Sequence, residues 1–142
     1  MHGMQSHFTT SETSAGYTIT AKVTLINRDL MIVVTGGDFD HIGTITTIAS
    51  NMQLQTIRFP SHDGRLHQDH YISERIASGL KEILPGNCVV SAGVHVNQIS
   101  KHQIAVAVPM AVKLVQQIKD WLQHQPLPTA QPQYYQGAQH PQ

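Results

Sequence analysis

Histidine is the residue type with which this chain is best equipped to do chemistry. Ten of its 142 residues are histidines, and three of them stand in one stretch, RFPSHDGRLHQDHY at 58–71. His62, His67 and His70 do not follow the four-residue spacing that sets two ligands on one helix face. In a loop, however, spacing constrains little, so a metal set of His62, His67 and His95 is one reading, with His41 able to substitute. The plainer reading is a row of exposed polar side chains. A second chemistry is anion binding. Arg65 and Lys101 supply charge-assisted donors, and Gly36–Gly37 allows close backbone approach. The plainer alternative is that Gly36–Gly37 is a turn and Arg65 pairs with Asp63 in solvent. A third is acid–base catalysis by His62 with Asp63, by Asp69 with His70, or by Asp38 paired with Asp40. No Ser or Cys nucleophile stands in a recognisable setting. Neither GxGxxG nor GxxxxGK[ST] occurs, which argues against a standard dinucleotide or P-loop site. Binding therefore ranks above catalysis.

The elements that must position these residues follow from periodicity. GYTITAKVTLI, from Gly16, alternates strictly, with Tyr17, Ile19, Ala21, Val23 and Leu25 on one face, as a half-buried strand does. Asn27–Asp29 turns into a more deeply buried strand, LMIVVTGG, which GGDFDH breaks. GTITTIAS and LQTIRF read as two more strands, joined by a turn at Ser50–Asn51 and ending at Pro60. Four consecutive strands with short connections predict an antiparallel meander. The period then changes. Ile72, Ile76, Leu80 and Ile83 predict a helix over 70–84, with Asp69 as N-cap and Pro85–Asn87 as the stop. CVVSAGVHV is a fifth strand beside a parallel neighbour, with Val90, Ala92, Val94 and Val96 facing inward. On its other face Gly93, with Ser91 and His95, leaves room for a flat ligand, a subunit or close helix packing. Ser100 and Gln103 match a capping box opening a second helix, whose stripe is Ile104, Val108, Val112, Val115, Ile118 and Leu122. Pro109 inside that stripe predicts a kink or a later start. A short strand over 103–108 is also permitted, since IAVAV alternates. The expected fold is α+β: a mostly antiparallel sheet of about five strands with two helices. Loops 36–42, 60–69 and 96–101 then share one sheet end with both helix N-termini, whose unpaired N–H groups favour anions.

Composition bounds the rest. A chain of this length suits one domain with a real core. Residues 1–14 read as a Ser/Thr-rich polar arm, partly disordered, 15–123 as the folded domain, and 124–142 as a mobile Gln/Pro-rich tail. Nine basic and nine acidic residues balance, which argues against nucleic-acid binding. No apolar run approaches the roughly 20 residues a membrane span needs, and the N-terminus has no signal-peptide segment. The lone Cys88 excludes an intramolecular disulfide and reads as inert packing, so a cytoplasmic setting is expected.

Three of these segments, TGGDFDHIGTITT, TIRFPSHDGRLHQDHYISERIA and SAGVHVNQISKHQIAVAVPMA, resemble one family. It is the LpdD-like group of small accessory proteins encoded with bacterial gallate- and hydroxybenzoate-type decarboxylases, and the likeness covers roughly residues 8–122. It implies a non-catalytic chaperone that holds reduced prenylated FMN, with FMN as a possible second ligand. The flavin would pass to a UbiD-like decarboxylase large subunit. A fainter, architectural likeness is to eukaryotic proteasome assembly chaperones of the third-subunit type, small α+β proteins that dimerise; it implies a homodimer. Under these resemblances Arg65, Lys101 and the Gly36–Gly37 backbone serve the flavin phosphate. His62, His67, His95 and Asn97 serve ribityl or ring atoms, and His41 and Asp63 complete the candidate set. Phe39, Phe59 and Tyr71 are the aromatics available for stacking. The rival readings are a purely structural decarboxylase subunit and a metal-dependent enzyme using His62, His67 and His95.

Overall fold

The strict alternation from Tyr17 becomes a strand whose odd residues are buried and whose even residues face outward, and the rest of the sheet is built around it. A computed structural model describes residues 6–142. Its strands are β1 (His7–Ser14), β2 (Tyr17–Ile26), β3 (Asp29–Gly37), β4 (Thr44–Ala49), β5 (Met52–Arg58) and β6 (Cys88–His95). The helices are α1 (His70–Leu80), continued by a 3-10 turn at Lys81–Ile83, and α2 (Lys101–Gln123). The α+β fold is as expected, with six strands among the described residues where about five were predicted.

The additional strand comes from the segment read as a polar arm; of that arm, residues 1–5 lie outside the described residues. His7–Ser14 has one large apolar residue, Phe8, and too little apolar periodicity to announce a strand. It is held instead by pairing along all of β2, from His7 opposite Thr24 to Ser14 opposite Tyr17. Cross-strand hydroxyl pairs add to this, Ser11 with Thr20 at 2.8 Å and Thr13 with Thr18 at 2.7 Å. Phe8 stacks on Trp121 of α2 at 5.2 Å between centroids.

The meander is corrected as well. The sheet order is β1-β2-β3-β6-β4-β5. β6 lies parallel to β3 and antiparallel to β4, so β3 and β4 are not hairpin partners. CVVSAGVH is buried over most of its length, and a central position covers it on both edges. Segment 38–43 must therefore cross over the end of β6.

Both helices pack on one face of the sheet. Ile19, Ile32, Val34, Val90, Ile76, Leu114 and Ile118 are fully buried between the layers. The Ser100 capping box is present, and α2 runs unbroken from Lys101 through Pro109. Pro109 removes one N–H, and the carbonyl it would have paired with belongs to Ala105, a residue exposed to water. The strand alternative for 103–108 is thus replaced by helix. The buried stripe is Met110, Ala111, Leu114, Val115, Ile118, Trp121 and Leu122; Ile104 and Val112, expected inside, are exposed. Beyond Gln123 the chain has neither helix nor strand, but Leu127 packs on the core and Arg28 Nη1 donates to the Pro128 carbonyl at 2.9 Å. Cys88 is buried, and burial pushes its thiol pKa up to about 12, in keeping with inert packing. No helix among the described residues is long and apolar enough to cross a membrane.

Candidate functional site

Strands β3, β5 and β6 end at the same edge of the sheet, so the connections 38–43, 59–69 and 96–100 gather there with the N-termini of α1 and α2. Changing the sheet order leaves this prediction intact, because β6 still runs alongside β3, with Gly37 opposite His95. The first turn of α2 is fastened to the β1–β2 turn at the same end. The Tyr17 hydroxyl donates to the Gln103 carbonyl at 2.7 Å, and Gln103 Nε2 donates to the Ala15 carbonyl at 3.0 Å. Burial raises the Tyr17 pKa.

The predicted residues separate into three groups. His62, Asp63 and Arg65 lie on a protruding tip, 61–65, closed beneath by the Pro60–Leu66 bridge. Arg65 is 85% exposed and pairs with Asp63 at 3.2 Å, a geometry worth little in water. The Ser61 hydroxyl, then the Arg65 backbone N–H, hold the Asp63 carboxyl below its ordinary pKa. The second group is His95, Asn97 and Asp38. His95 Nε2 lies 3.0 Å from Asn97 Oδ1, and the Asn97 N–H donates to Asp38 Oδ2 at 2.8 Å. Lys101 is exposed at the start of α2. Gly36 and Gly37 have a packing reason: a side chain at Gly36 would meet the Thr18 carbonyl, and one at Gly37, where φ is +74°, the His95 carbonyl.

The third group is the compact one. His41 Nε2 and His67 Nδ1 each lie 3.4 Å from the same oxygen, Oδ2 of Asp69, and the two imidazole rings are 4.8 Å apart. Asp69 is 7% exposed. It stands at the N-cap position of α1 but makes no capping hydrogen bond; its Oδ1 instead accepts from the Val94 N–H at 2.9 Å. From the sequence Asp69 is expected as a helix cap or as an acid–base partner of His70, and it is not among the residues expected to bind flavin or metal. The signal that points to it is the His67-Gln68-Asp69 spacing in a loop that faces another histidine-bearing loop. Conversely, the His62–His67–His95 triad is not the set brought together; among the described residues His41, His67 and Asp69 are the three whose ligating atoms converge.

Gly93 also finds its explanation here. A side chain on it would run into the His41 carbonyl, so the space it leaves is filled by the crossover segment rather than by a ligand, a subunit or a helix. A pocket of about 420 Å³ lies at the other end of α2, lined by Phe8, Gln117, Asp120, Trp121, His124 and Gln125; it holds none of the predicted residues.

Among solved structures, the fold is similar to a protein in a crystal structure of a chaperone complex for yeast 20S proteasome assembly. The TM-score is 0.52 over 83% of this chain and 99% of that one, at 14% identity, a likeness of fold alone. The LpdD protein of Lactiplantibacillus plantarum is 49% identical over 128 residues, which is 90% of this chain and 93% of that protein. The prenylated flavin chaperone LpdD-like domain matches residues 13–123. With both matches spanning nearly all of the folded region, the chain belongs to the LpdD-like prenylated flavin chaperone family.

Proposed function

We propose that this chaperone binds reduced prenylated FMN at the loop end of its sheet and passes it to the large subunit of a UbiD-like hydroxyaromatic acid decarboxylase, without catalytic chemistry of its own. The observation that carries this reading is the composition of that end. Phe39, Ile42, Phe59, Leu66, Tyr71, Ile99 and Ile104 are all exposed on its loops and first helical turns, beside Arg65, Lys101, His62, His95 and Asn97. An apolar surface rimmed by donors and cations suits a flat, amphiphilic, phosphorylated ligand. An open site also suits a cargo that must leave. His41 and His67 face Asp69, which leaves the phosphate to Arg65 and Lys101 and the polyol and ring edge to His62, His95 and Asn97.

The reading includes a cytoplasmic homodimer. Among the described residues, no helix or strand lies on the sheet face opposite the helices. One row across it runs Lys22, Val33, Ser91, Ile45 and Ile57, and Met31, Val33 and Ile57 on this face are exposed. A second copy packed there would bury them.

The test is anaerobic. Reduced prenylated FMN is added to the purified protein, and binding and the rate of flavin oxidation on admitting air are followed, before transfer to an apo-decarboxylase. Binding with slowed oxidation is expected; neither binding nor protection would sink the carrier reading. A stable complex with the large subunit that ignores flavin would assign a structural subunit instead.

A further inference from the structure

We propose that His41, His67 and Asp69 form a binding site for one divalent transition-metal ion, with zinc the best match, held by His41 Nε2, His67 Nδ1 and Asp69 Oδ2. The two contacts to Asp69 Oδ2, 3.4 Å each, suit an ion pair but are long for hydrogen bonds. Ligand atoms roughly 2.0–2.1 Å from a tetrahedral ion stand about 3.3–3.4 Å apart. The two separations to Asp69 Oδ2 are those of ligands around an ion, and all three ligating atoms lie within 4.8 Å of one another.

His41 Nδ1 lies 3.2 Å from the Phe39 carbonyl, and a carbonyl only accepts, so Nδ1 carries the hydrogen. In the neutral ring Nε2 is then a bare lone pair pointing at a carboxylate oxygen. That Nε2 is buried and has no hydrogen-bond partner, an arrangement that costs free energy unless a cation lies between. A ligand imidazole whose other N–H is bound to a backbone carbonyl is also the usual second shell of a metal site.

The three side chains are also held in place by the surrounding fold. Asp69 is aimed by the Val94 N–H on its other oxygen. The His67 backbone is clamped on both sides, its N–H donating to the Phe59 carbonyl at 3.0 Å and its carbonyl accepting from Arg58 Nε at 2.8 Å. Gly43 leaves the space beside them: a side chain there would collide with Asp69 Oδ2 and lie 3.1 Å from His67 Cγ. Three protein ligands leave one tetrahedral position for water or an anionic group. About a quarter of the His41 side chain and a fifth of the His67 side chain are exposed, so solvent lies at the rim of the site while His41 Nε2 itself is buried. An ion here would tie the crossover segment to the start of α1.

The test uses the full-length protein, stripped with chelator and titrated with zinc in competition with a chromophoric chelator. One equivalent is expected. Asp69→Asn keeps an acceptor for the Val94 N–H, and it and His67→Ala should each weaken binding by roughly tenfold or more. His62→Ala and His95→Ala, which remove the other members of the sequence-based triad, should bind as wild type does. Zinc should raise the Tm of the wild type and not that of Asp69→Asn. Cobalt bound to wild type should give the intense visible bands of a tetrahedral nitrogen–oxygen set, a readout that needs no variant to fold. Weak octahedral bands, no zinc uptake, or unchanged uptake in both Asp69→Asn and His67→Ala would overturn the proposal.

Discussion

Replacing Gly93 by alanine adds one methyl group to the middle of the sheet, and the fold gives it nowhere to go. The new Cβ would lie deep inside contact distance of the His41 carbonyl and 3.1 Å from His41 Cγ. Segment 38–43 would have to retreat by roughly 1 Å or more, yet it is pinned to β6 on either side of that point. The Asp38 N–H donates to the His95 carbonyl at 2.5 Å and the Gly43 N–H to the Ala92 carbonyl at 2.9 Å. Losing or stretching two such bonds costs about 1 kcal/mol each, and overpacking adds about 1–3 kcal/mol. A loss of about 3–5 kcal/mol is a large part of the stability of a domain this size. It should lower Tm by about 10–17 °C in differential scanning calorimetry. Ser91→Ala, two residues earlier on the same face, adds no bulk and should melt within about 2 °C of wild type. If Gly93→Ala melts with wild type, the crossover does not sit on β6, and the argument that places His41 beside Asp69 falls with it.

Ser73 is buried between Thr44 (3.0 Å) and Thr46 (2.8 Å), and Thr46 in turn meets Thr56 at 2.9 Å; Ser73→Ala leaves buried hydroxyls short of a partner and should cost about 1–3 kcal/mol by urea titration. Cys88 should resist a thiol reagent at pH 8 until the chain unfolds. Burial raises its pKa from 9.0 to about 12, so the folded state holds its proton where the unfolded chain releases it. Stability should therefore fall by about 1.4 kcal/mol per pH unit from pH 9 upward, and Cys88→Ala should flatten that slope. Arg65→Ala should weaken binding of the phosphorylated flavin more than of its dephosphorylated form; equal loss in an anaerobic titration would remove Arg65 from the phosphate site. Val33→Glu puts a charge in the uncovered sheet face and should convert a dimer to a monomer by light scattering, while an unchanged mass would place the dimer contact elsewhere.

Local pattern was enough wherever one residue and its near neighbours fixed the outcome. Alternation from Tyr17 gave β2, the change of period at residue 70 located α1, and Ser100 with Gln103 located the start of α2. These signals are short-range, so they are written in consecutive residues. They also place three polar loops at one end of the sheet, because strand directions follow from the order and length of connections. What they could not place was β6, whose insertion between β3 and β4 depends on which strand most needs burial on both edges. β1 was invisible for the converse reason, being stabilised by its pairing with β2 and by Phe8 against Trp121 rather than by its own apolar period.

The candidate site divides along the same line. Sequence alone identified His41 and His67 as polar residues of a shared end and Asp69 as the residue before α1. Only the tertiary structure decided that these three converge and that Arg65, His62 and Asp63 project into solvent. Asp69 is the clearest case. Its sequence position is that of a helix cap, but the Val94 N–H comes within reach only once β6 is seated, and that bond turns the carboxylate from the helix toward His41 and His67. Backbone pattern is local and can be read along the chain; the direction of a buried side chain is set by partners 25 or more residues away, and it exists only in the folded state.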